Sequence, residues 1–211
     1  MHEDCFYYSN DMSSQPNLSV ADALRILAHV ALAPQAVGCR ACARDMEMDA
    51  VRCNRLLKSL AAGGYVQQDQ QRRYRPGPAF QVFAAAALHA SPLLRHGAAL
   101  LEDCARRSGH TVALGMVWGD QVVYLWHGGR VGASAPYPAG DSSIGRVFSG
   151  DGASARSASL IHNGHRSLAV AVPHVAQTGL ALTDIPLDAP LPPLRTILRH
   201  YAQALSEVSH A

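Results

Sequence analysis

The chain has 211 residues, of which 48% are hydrophobic and 16% are charged, a composition typical of a packed globular protein and not of a disordered one. No run approaches the roughly 20 apolar residues that a transmembrane helix needs, so no membrane partner is expected. The five cysteines are an odd set for a disulfide framework and favour a reducing, cytoplasmic location.

The net charge is only +2, but the positive charge is concentrated near the start of the chain. Between Val20 and Pro76 there are nine Lys or Arg residues against five Asp or Glu, whereas from Gly77 onward the counts are nine and eight. This bias predicts an acidic partner for the first third. Residues 1–17 lack the basic region and apolar core of a secretory signal, and we interpret them as a flexible arm.

Residues 18–78 predict three short helices followed by a hairpin. The predicted helices are Ser19–Ala33, Cys39–Met46 and residues 50–62, and the predicted strands are residues 65–68 and 73–75. Ser19 and Asp49 are the expected N-caps. In the first helix the residues expected to face inward are Val20, Ala23, Leu24, Leu27 and Val30. This order of elements is typical of a winged helix-turn-helix.

The third helix carries basic and amide side chains at its start, and a winged helix-turn-helix inserts that end into the major groove. We expect Arg52 and Asn54 to read base edges while arginines of the second helix, third helix and wing hold phosphates. The predicted DNA-binding residues are Arg40, Ala50, Val51, Arg52, Asn54, Arg55, Arg72 and Arg73. The alternative is a solvated basic helix start that pairs with Asp45, Glu47 and Asp49.

Three ordered segments, SVADALRIL, RLLKSLAAGGYV and YRPGP, resemble the N-terminal domain of IclR-family transcriptional regulators. Glu47 stands where that family usually has a turn glycine, and Pro76 replaces the leucine of the wing motif. The resemblance implies a homodimer or higher oligomer in which residues 79–91 form a linker and dimerisation helix. A two-fold dimer in turn predicts a pseudo-palindromic operator in double-stranded DNA.

Residues 92–211 predict a helix, antiparallel strands and a closing helix, which is an α+β domain. Gly119-Asp120 and Gln177–Gly179 are the expected hairpin turns, and the closing helix is expected to begin at Pro193. This part resembles the GAF-like effector domain of the same family. Residues 151–166 stand where the family has a long helical segment, so the resemblance implies an abbreviated domain and weak or absent ligand binding.

Aromatic and polar side chains of the second domain are candidates for an effector cavity, since pockets combine such groups. The candidate residues for a small organic acid effector are Met116, Tyr124, Trp126 and Ser142. The aromatic residues equally fit a sheet core or a dimer surface. Gly140-Asp141-Ser142 is similar to the nucleophile box of one lipase class, which leaves a small hydrolase as the weakest alternative function.

Cys39, Cys42 and Cys53 are close in sequence. Core packing is one interpretation, and a thiol switch that would make the protein a redox-sensing regulator is another. A metal site needs a fourth ligand such as His29 and is not expected. His162, His165 and His174 are expected in surface loops. The sequence therefore predicts an α+β, DNA-binding transcription regulator, with no cofactor and no catalytic residue.

Overall fold

The computed structural model of the protein describes residues 17–131, 136–149 and 157–209. The chain divides into two compact units, Met1–Ala87 and Leu88–Ala211, which we call the N-terminal and C-terminal units. Their boundary falls inside the predicted linker helix. The predicted flexible arm lies outside the described residues except for Asn17.

The N-terminal unit contains three helices and a small sheet before the linker helix. Its elements are α1 (Leu18–Leu32), β1 (Val37–Gly38), α2 (Cys39–Asp45), α3 (Ala50–Ala62), β2 (Val66–Gln68) and β3 (Arg73–Pro76). The linker helix α4 (Pro78–Ala90) begins in this unit and continues past its end at Ala87. The strand β1, which was not predicted, pairs antiparallel with β3 and gives the sheet order β1-β3-β2. The elements otherwise follow the predicted order of a winged helix-turn-helix.

Two details of α1 correct the prediction. Asn17 and not Ser19 caps the helix, because the Asn17 side chain accepts hydrogen bonds from the backbone N–H groups of Ser19 and Val20 at 3.0 and 3.3 Å. Val20 and Leu24 are exposed, whereas Ile26 is fully buried. The residues of α1 that pack in or against the core of the unit are Ala23, Ile26, Leu27 and Val30.

The C-terminal unit is an antiparallel sheet with helices on both faces. Its elements are α5 (Pro92–Ser108), β4 (Thr111–Trp118), β5 (Gln121–His127), β6 (Arg130–Val131), β7 (Tyr137–Pro138), α6 (Ser143–Phe148), β8 (Ser157–His162), β9 (His165–Ala171), β10 (Thr178–Ile185) and α7 (Leu191–Ser209). The strand order is β6-β5-β4-β10-β9-β8, and β7 pairs with β5. The predicted α+β class is confirmed.

The strand β8, within the residues 151–166 that stand in place of the family's helical segment, was not predicted. It pairs with β9 through a tight turn at Asn163 and Gly164, whose φ angles are 50° and 77°. An Asn-Gly pair with two positive φ angles is the preferred two-residue hairpin connection. His162 and His165 are register partners beside this turn, so they lie in strands and not in the expected loop.

The two faces of the large sheet have separate cores. Leu114 and Leu180 project toward α5 and α7, where they join Leu101 and Leu198 in the larger apolar cluster. On the opposite face, Ile144 of α6 is fully buried against a smaller cluster. The strands β4, β5, β9 and β10 thus contribute side chains to both cores, as the alternation of side chains along a strand allows.

Candidate nucleic-acid interface

The helix α3 is held by one face and leaves the other exposed. Asp49 caps it by accepting a hydrogen bond from the Arg52 backbone N–H at 2.9 Å, as predicted. Cys53, Leu56 and Leu57 are buried on its inner side, and this apolar stripe has the spacing that packs a helix on a core. The helix is therefore fixed while its solvent-facing side remains available to a partner.

We call this solvent-facing side the α3 outer face. This face is a shallow, open groove, and the residues that line it are Val51, Asn54, Arg55, Lys58, Ser59 and Ala62. These positions recur at three, four, seven, eight and eleven residues after Val51, which is one side of an α-helix. Sequence reasoning placed Val51, Asn54 and Arg55 in the site but missed Lys58, Ser59 and Ala62, which the same helical period identifies.

The α3 outer face carries positive charge. Arg55 and Lys58 are both exposed. No carboxylate in the described part of the chain lies within ion-pair distance of either side chain. The predicted alternative, in which Asp45, Glu47 and Asp49 pair with the helix start, therefore does not hold for Arg55.

Arg52, predicted to read bases, is directed away from the α3 outer face. Its Nη2 atom lies 2.6 Å from Oδ2 of Asp22 in α1, and the Arg52 side chain is 39% exposed. Asp22 also lies 3.5 Å from Arg25. The structure therefore places Arg52 in a bridge between two helices, which revises its expected position at the base edges.

The hairpin of β2 and β3 carries further arginines. Arg73 is paired with an acid within the hairpin, and the others are not. Asp69 accepts hydrogen bonds from the backbone N–H of Arg73 at 2.8 Å and from its Nε at 3.1 Å. The backbone bond from Arg73 is the main reason that the pKa of the Asp69 carboxyl is lowered. Arg72 and Arg75 are exposed, as is Arg40 of α2. Because Arg73 is paired within the hairpin, Arg40, Arg72 and Arg75 are the candidate phosphate ligands. Arg75 was missed in the sequence.

The four predicted effector residues do not line one cavity. Tyr124 and Ser142 lie together, with 3.1 Å between their hydroxyl oxygens, on the face covered by α6. Met116 alternates with Gly115 and Val117, and it therefore shares the opposite face with Leu114. Trp126 is buried in the cluster formed with α5 and α7.

The separation of Tyr124 from Trp126 has a local cause. Leu114 pairs with Trp126, but the next residue, Gly115, pairs with Tyr124. Leu125 is therefore the extra residue of a β-bulge. Two residues that are two positions apart share a face in a regular strand, and this bulge sends them to opposite faces.

The space beside Tyr124 and Ser142 is occupied by Ile144. A Cβ atom placed on Gly179 would lie 2.8 Å from Cγ2 of Ile144, and one placed on Gly115 would lie 3.1 Å from its Cδ1. The two glycines therefore allow Ile144 to lie directly on the sheet. The effector role of this region remains a prediction.

No protein-family model matches the sequence, and no curated protein is significantly similar to it. Solved structures are similar. An IclR-family transcriptional regulator from Brucella abortus matches with a TM-score of 0.75 at 16% identity, over 92% of this chain and 93% of the other. An IclR transcriptional regulator from Alicyclobacillus acidocaldarius gives 0.67 at 20% identity, over 92% and 100%. An IclR homolog from Microbacterium hydrocarbonoxydans, complexed with 4-hydroxybenzoate, gives 0.58 at 16% identity, over 91% and 99%.

The fold is that of IclR-family transcriptional regulators. The resemblance identified in the sequence is thereby confirmed at the level of the fold.

Within the IclR fold, the turn between α2 and α3 has the geometry expected for a glycine although it contains Glu47. The φ angle of Glu47 is 52°, which lies in the left-handed region where glycine is the favoured residue. The backbone N–H of Met48 donates to the carbonyl of Ala43 at 2.8 Å and stabilises the turn. A non-glycine residue thus occupies a left-handed backbone position in this turn.

The three cysteines that were redox candidates do cluster in the IclR-type N-terminal unit. The Cys53 thiol donates to the backbone carbonyl of Cys39 at 3.8 Å. Burial raises the pKa of Cys53 to about 12, and it also raises the pKa of Cys42, although a hydrogen bond with Cys53 opposes this. Thiolate is the reactive form, so the raised pKa values favour core packing over a thiol switch.

The remaining alternatives find little support in the structure. The Ser142 hydroxyl is buried, binds Tyr124 and accepts from the backbone N–H of Gly145 at 3.5 Å. No histidine of the described residues is among its partners, so the arrangement lacks the base that would activate a serine nucleophile. Residues 17–131, 136–149 and 157–209 contain no cluster of three or more acidic, His or Cys side chains suited to a metal ion. Across the same residues, no helix has the length and apolar character to span a bilayer.

Proposed function

We propose that the protein is a sequence-specific DNA-binding transcription regulator of the IclR family. The observation that carries this proposal is the α3 outer face, where Arg55 and Lys58 are exposed and not paired with any described carboxylate. The corresponding helix of a helix-turn-helix lies in the major groove of DNA. The IclR-type fold supports the same assignment.

The proposal divides the candidate residues by the DNA groups that they would contact. Val51, Asn54 and Arg55 occupy the first turns of α3, and these turns reach base edges in this class of domain. Lys58 lies one turn further along and suits a phosphate. The exposed arginines outside α3 with the same role are Arg40, Arg72 and Arg75. Ala50, next to Val51, is also exposed and remains a groove-facing candidate.

We further propose a homodimer that binds a pseudo-palindromic operator. None of the described side chains of α4 is buried, and Val82 is 67% exposed. Exposed apolar surface of this kind is typical of an interaction site. In a two-fold dimer that pairs the two α4 helices, each half-site of the operator would meet one copy of α3.

A small organic acid is the candidate effector, because an IclR homolog from Microbacterium hydrocarbonoxydans was solved with 4-hydroxybenzoate. In this chain the Tyr124 and Ser142 hydroxyls bond to each other, and Ile144 lies over the glycines of the sheet. A ligand would have to displace these contacts to gain the burial that tight binding requires. We therefore expect binding of such acids to be weak or absent.

The DNA-binding proposal is tested by selecting bound duplexes from a random library at about 0.1 M salt. A specific site should bind with Kd of about 10⁻⁸ to 10⁻¹¹ M, at least about 10³-fold tighter than unrelated duplex. Arg55→Ala should reduce this binding, whereas Arg199→Ala, at an exposed position of α7, should not. If no sequence is enriched over the starting library, the proposal is wrong.

A further inference from the structure

Val51 is a large apolar side chain on an α3 outer face that otherwise carries mostly polar and charged groups. Val51 is 77% exposed, more than any other exposed large hydrophobic side chain among the described residues. It is the second residue of α3 and is β-branched, so it is a poorer helix former than alanine. Neither packing within the chain nor helix formation accounts for a valine there.

The surroundings of Val51 restrict what can cover it. Asn54 and Arg55 follow at three and four residues and lie beside it on the same side of the helix. Lys58 extends the positive charge of this surface, which complements a polyanion and disfavours a purely apolar protein partner. The Arg52 side chain pairs with Asp22, so its charged end is held at α1.

The major groove of DNA presents one apolar group, the C5-methyl group of thymine. It lies beside base edges that arginine and asparagine side chains recognise, namely guanine O6 and N7 for arginine and adenine N6 and N7 for asparagine. Val51, Arg55 and Asn54 together therefore match a thymine next to a purine. Burying the thymine methyl group against the valine removes apolar surface of both from water.

We propose that Val51 contacts the C5-methyl group of a thymine in each operator half-site and makes recognition depend on that methyl group. This inference rests on the proposed function, because it assigns part of the sequence preference to one residue of the DNA-binding helix. It requires a thymine at a fixed position in each half-site, adjacent to the base pairs contacted by Asn54 and Arg55.

The test uses the duplex selected from the random library with the wild-type protein. Each thymine is replaced singly by deoxyuridine, which removes only the methyl group and keeps base pairing. At one position per half-site the wild-type Kd should rise about fourfold, which corresponds to ~0.8 kcal/mol for a buried group of methyl size. The other thymines should show no change.

A double-mutant cycle then assigns the methyl contact to Val51. In Val51→Ala the fourfold penalty of deoxyuridine at that position should disappear, whereas in Val20→Ala, a matched change at another exposed valine, it should persist. If wild type binds its selected site but tolerates every deoxyuridine, or if the penalty persists in Val51→Ala, the inference is overturned while the proposed function stands. If no duplex is selected at all, both fail.

Discussion

Arg52 and Asp22 join α3 to α1, with 2.6 Å between Nη2 of the guanidinium and Oδ2 of the carboxylate. The partners are thirty positions apart in the sequence, and the bridge fixes the side of α3 that carries Arg52. Arg25 approaches the same carboxylate at 3.5 Å. A basic residue at the start of the candidate recognition helix thus has an internal structural role.

Asp22→Asn should separate the structural role of this bridge from a role in DNA binding. Since the Arg52 side chain is more than one third exposed, solvent screens the pair and the loss of stability should be at most about 1 kcal/mol. The released Arg52 would be able to reach a phosphate, and the slope of log K against log salt should then steepen by about one. Urea unfolding and salt titration measure these two effects. Asp120→Asn, at an exposed carboxylate of the other unit, is the control, and an unchanged slope in Asp22→Asn would contradict the prediction.

Lys58→Ala and Asn54→Ala should change DNA binding in two different ways. Loss of a phosphate contact at Lys58 should weaken all DNA sequences alike and reduce the salt slope by about 0.9. Loss of a base contact at Asn54 should cost about 1–3 kcal/mol at one base position. Binding of a panel of single-base operator variants by each protein measures both. Lys58→Arg should retain the slope, and a base-specific effect of Lys58→Ala would count against its phosphate role.

Val82→Glu should dissociate the proposed dimer, because it replaces an exposed apolar side chain of α4 with a charged one. Sedimentation velocity at micromolar concentration should show a dimer for wild type and a monomer for this variant. Ile161→Glu introduces the same charge at an exposed position of β8 and should leave the dimer intact. A wild-type protein that sediments as a monomer at this concentration would refute the dimer.

Thermal-shift measurement with 4-hydroxybenzoate and related aromatic and aliphatic carboxylates should show little stabilisation. A ligand present at 100 times its Kd stabilises a protein by about 2.7 kcal/mol, so a micromolar binder would be evident at millimolar concentration. A saturable shift with a micromolar midpoint that is lost in Tyr124→Ala would overturn the expectation of weak binding. Tyr124→Phe removes only the hydroxyl that bonds to Ser142 and separates that bond from the packing of the ring.

Thiol labelling should distinguish core packing from a redox role. Burial raises the pKa of Cys53 and of Cys104 to about 12, so at pH 8 their thiolate fractions are small and native-state reaction should be slow. Cys39 is only partly buried and should react first among the four described cysteines. Cys39→Ser provides the matched control. Rapid peroxide oxidation of Cys42 or Cys53 in the folded protein would revive the redox hypothesis.

Sequence alone predicted those elements whose ends carry their own signals. The helix predicted at the start of residues 92–211 is found as α5, because Ser91 caps its start and Gly109, with a φ of 70°, ends it. The strand β8 was missed although its Asn-Gly turn is a local signal, because a segment rich in serine and alanine lacks the usual apolar alternation of a strand. The antiparallel pairing with β9 stabilises this segment as a strand, although its own sequence has little strand preference.

The candidate site was predictable in its chemistry but not in its geometry. The helical period places Val51, Asn54 and Arg55 on one side of α3, and extending it would have included Lys58. The position of the Arg52 side chain depends on Asp22, which lies on another helix. No local pattern in the sequence encodes a contact between two helices, and the same holds for the irregular pairing that separates Tyr124 from Trp126.

The bulge at Leu125 also determines where the length of β5 can change. Deleting any residue on either side of it would rotate part of the strand by half a period and exchange its buried and solvent-facing side chains. Deleting Leu125 itself would make Tyr124 and Trp126 consecutive residues of a regular strand, and each would keep the face that it now occupies. Within β5, Leu125 is therefore the position at which natural or engineered variants can shorten the strand without inverting its two surfaces.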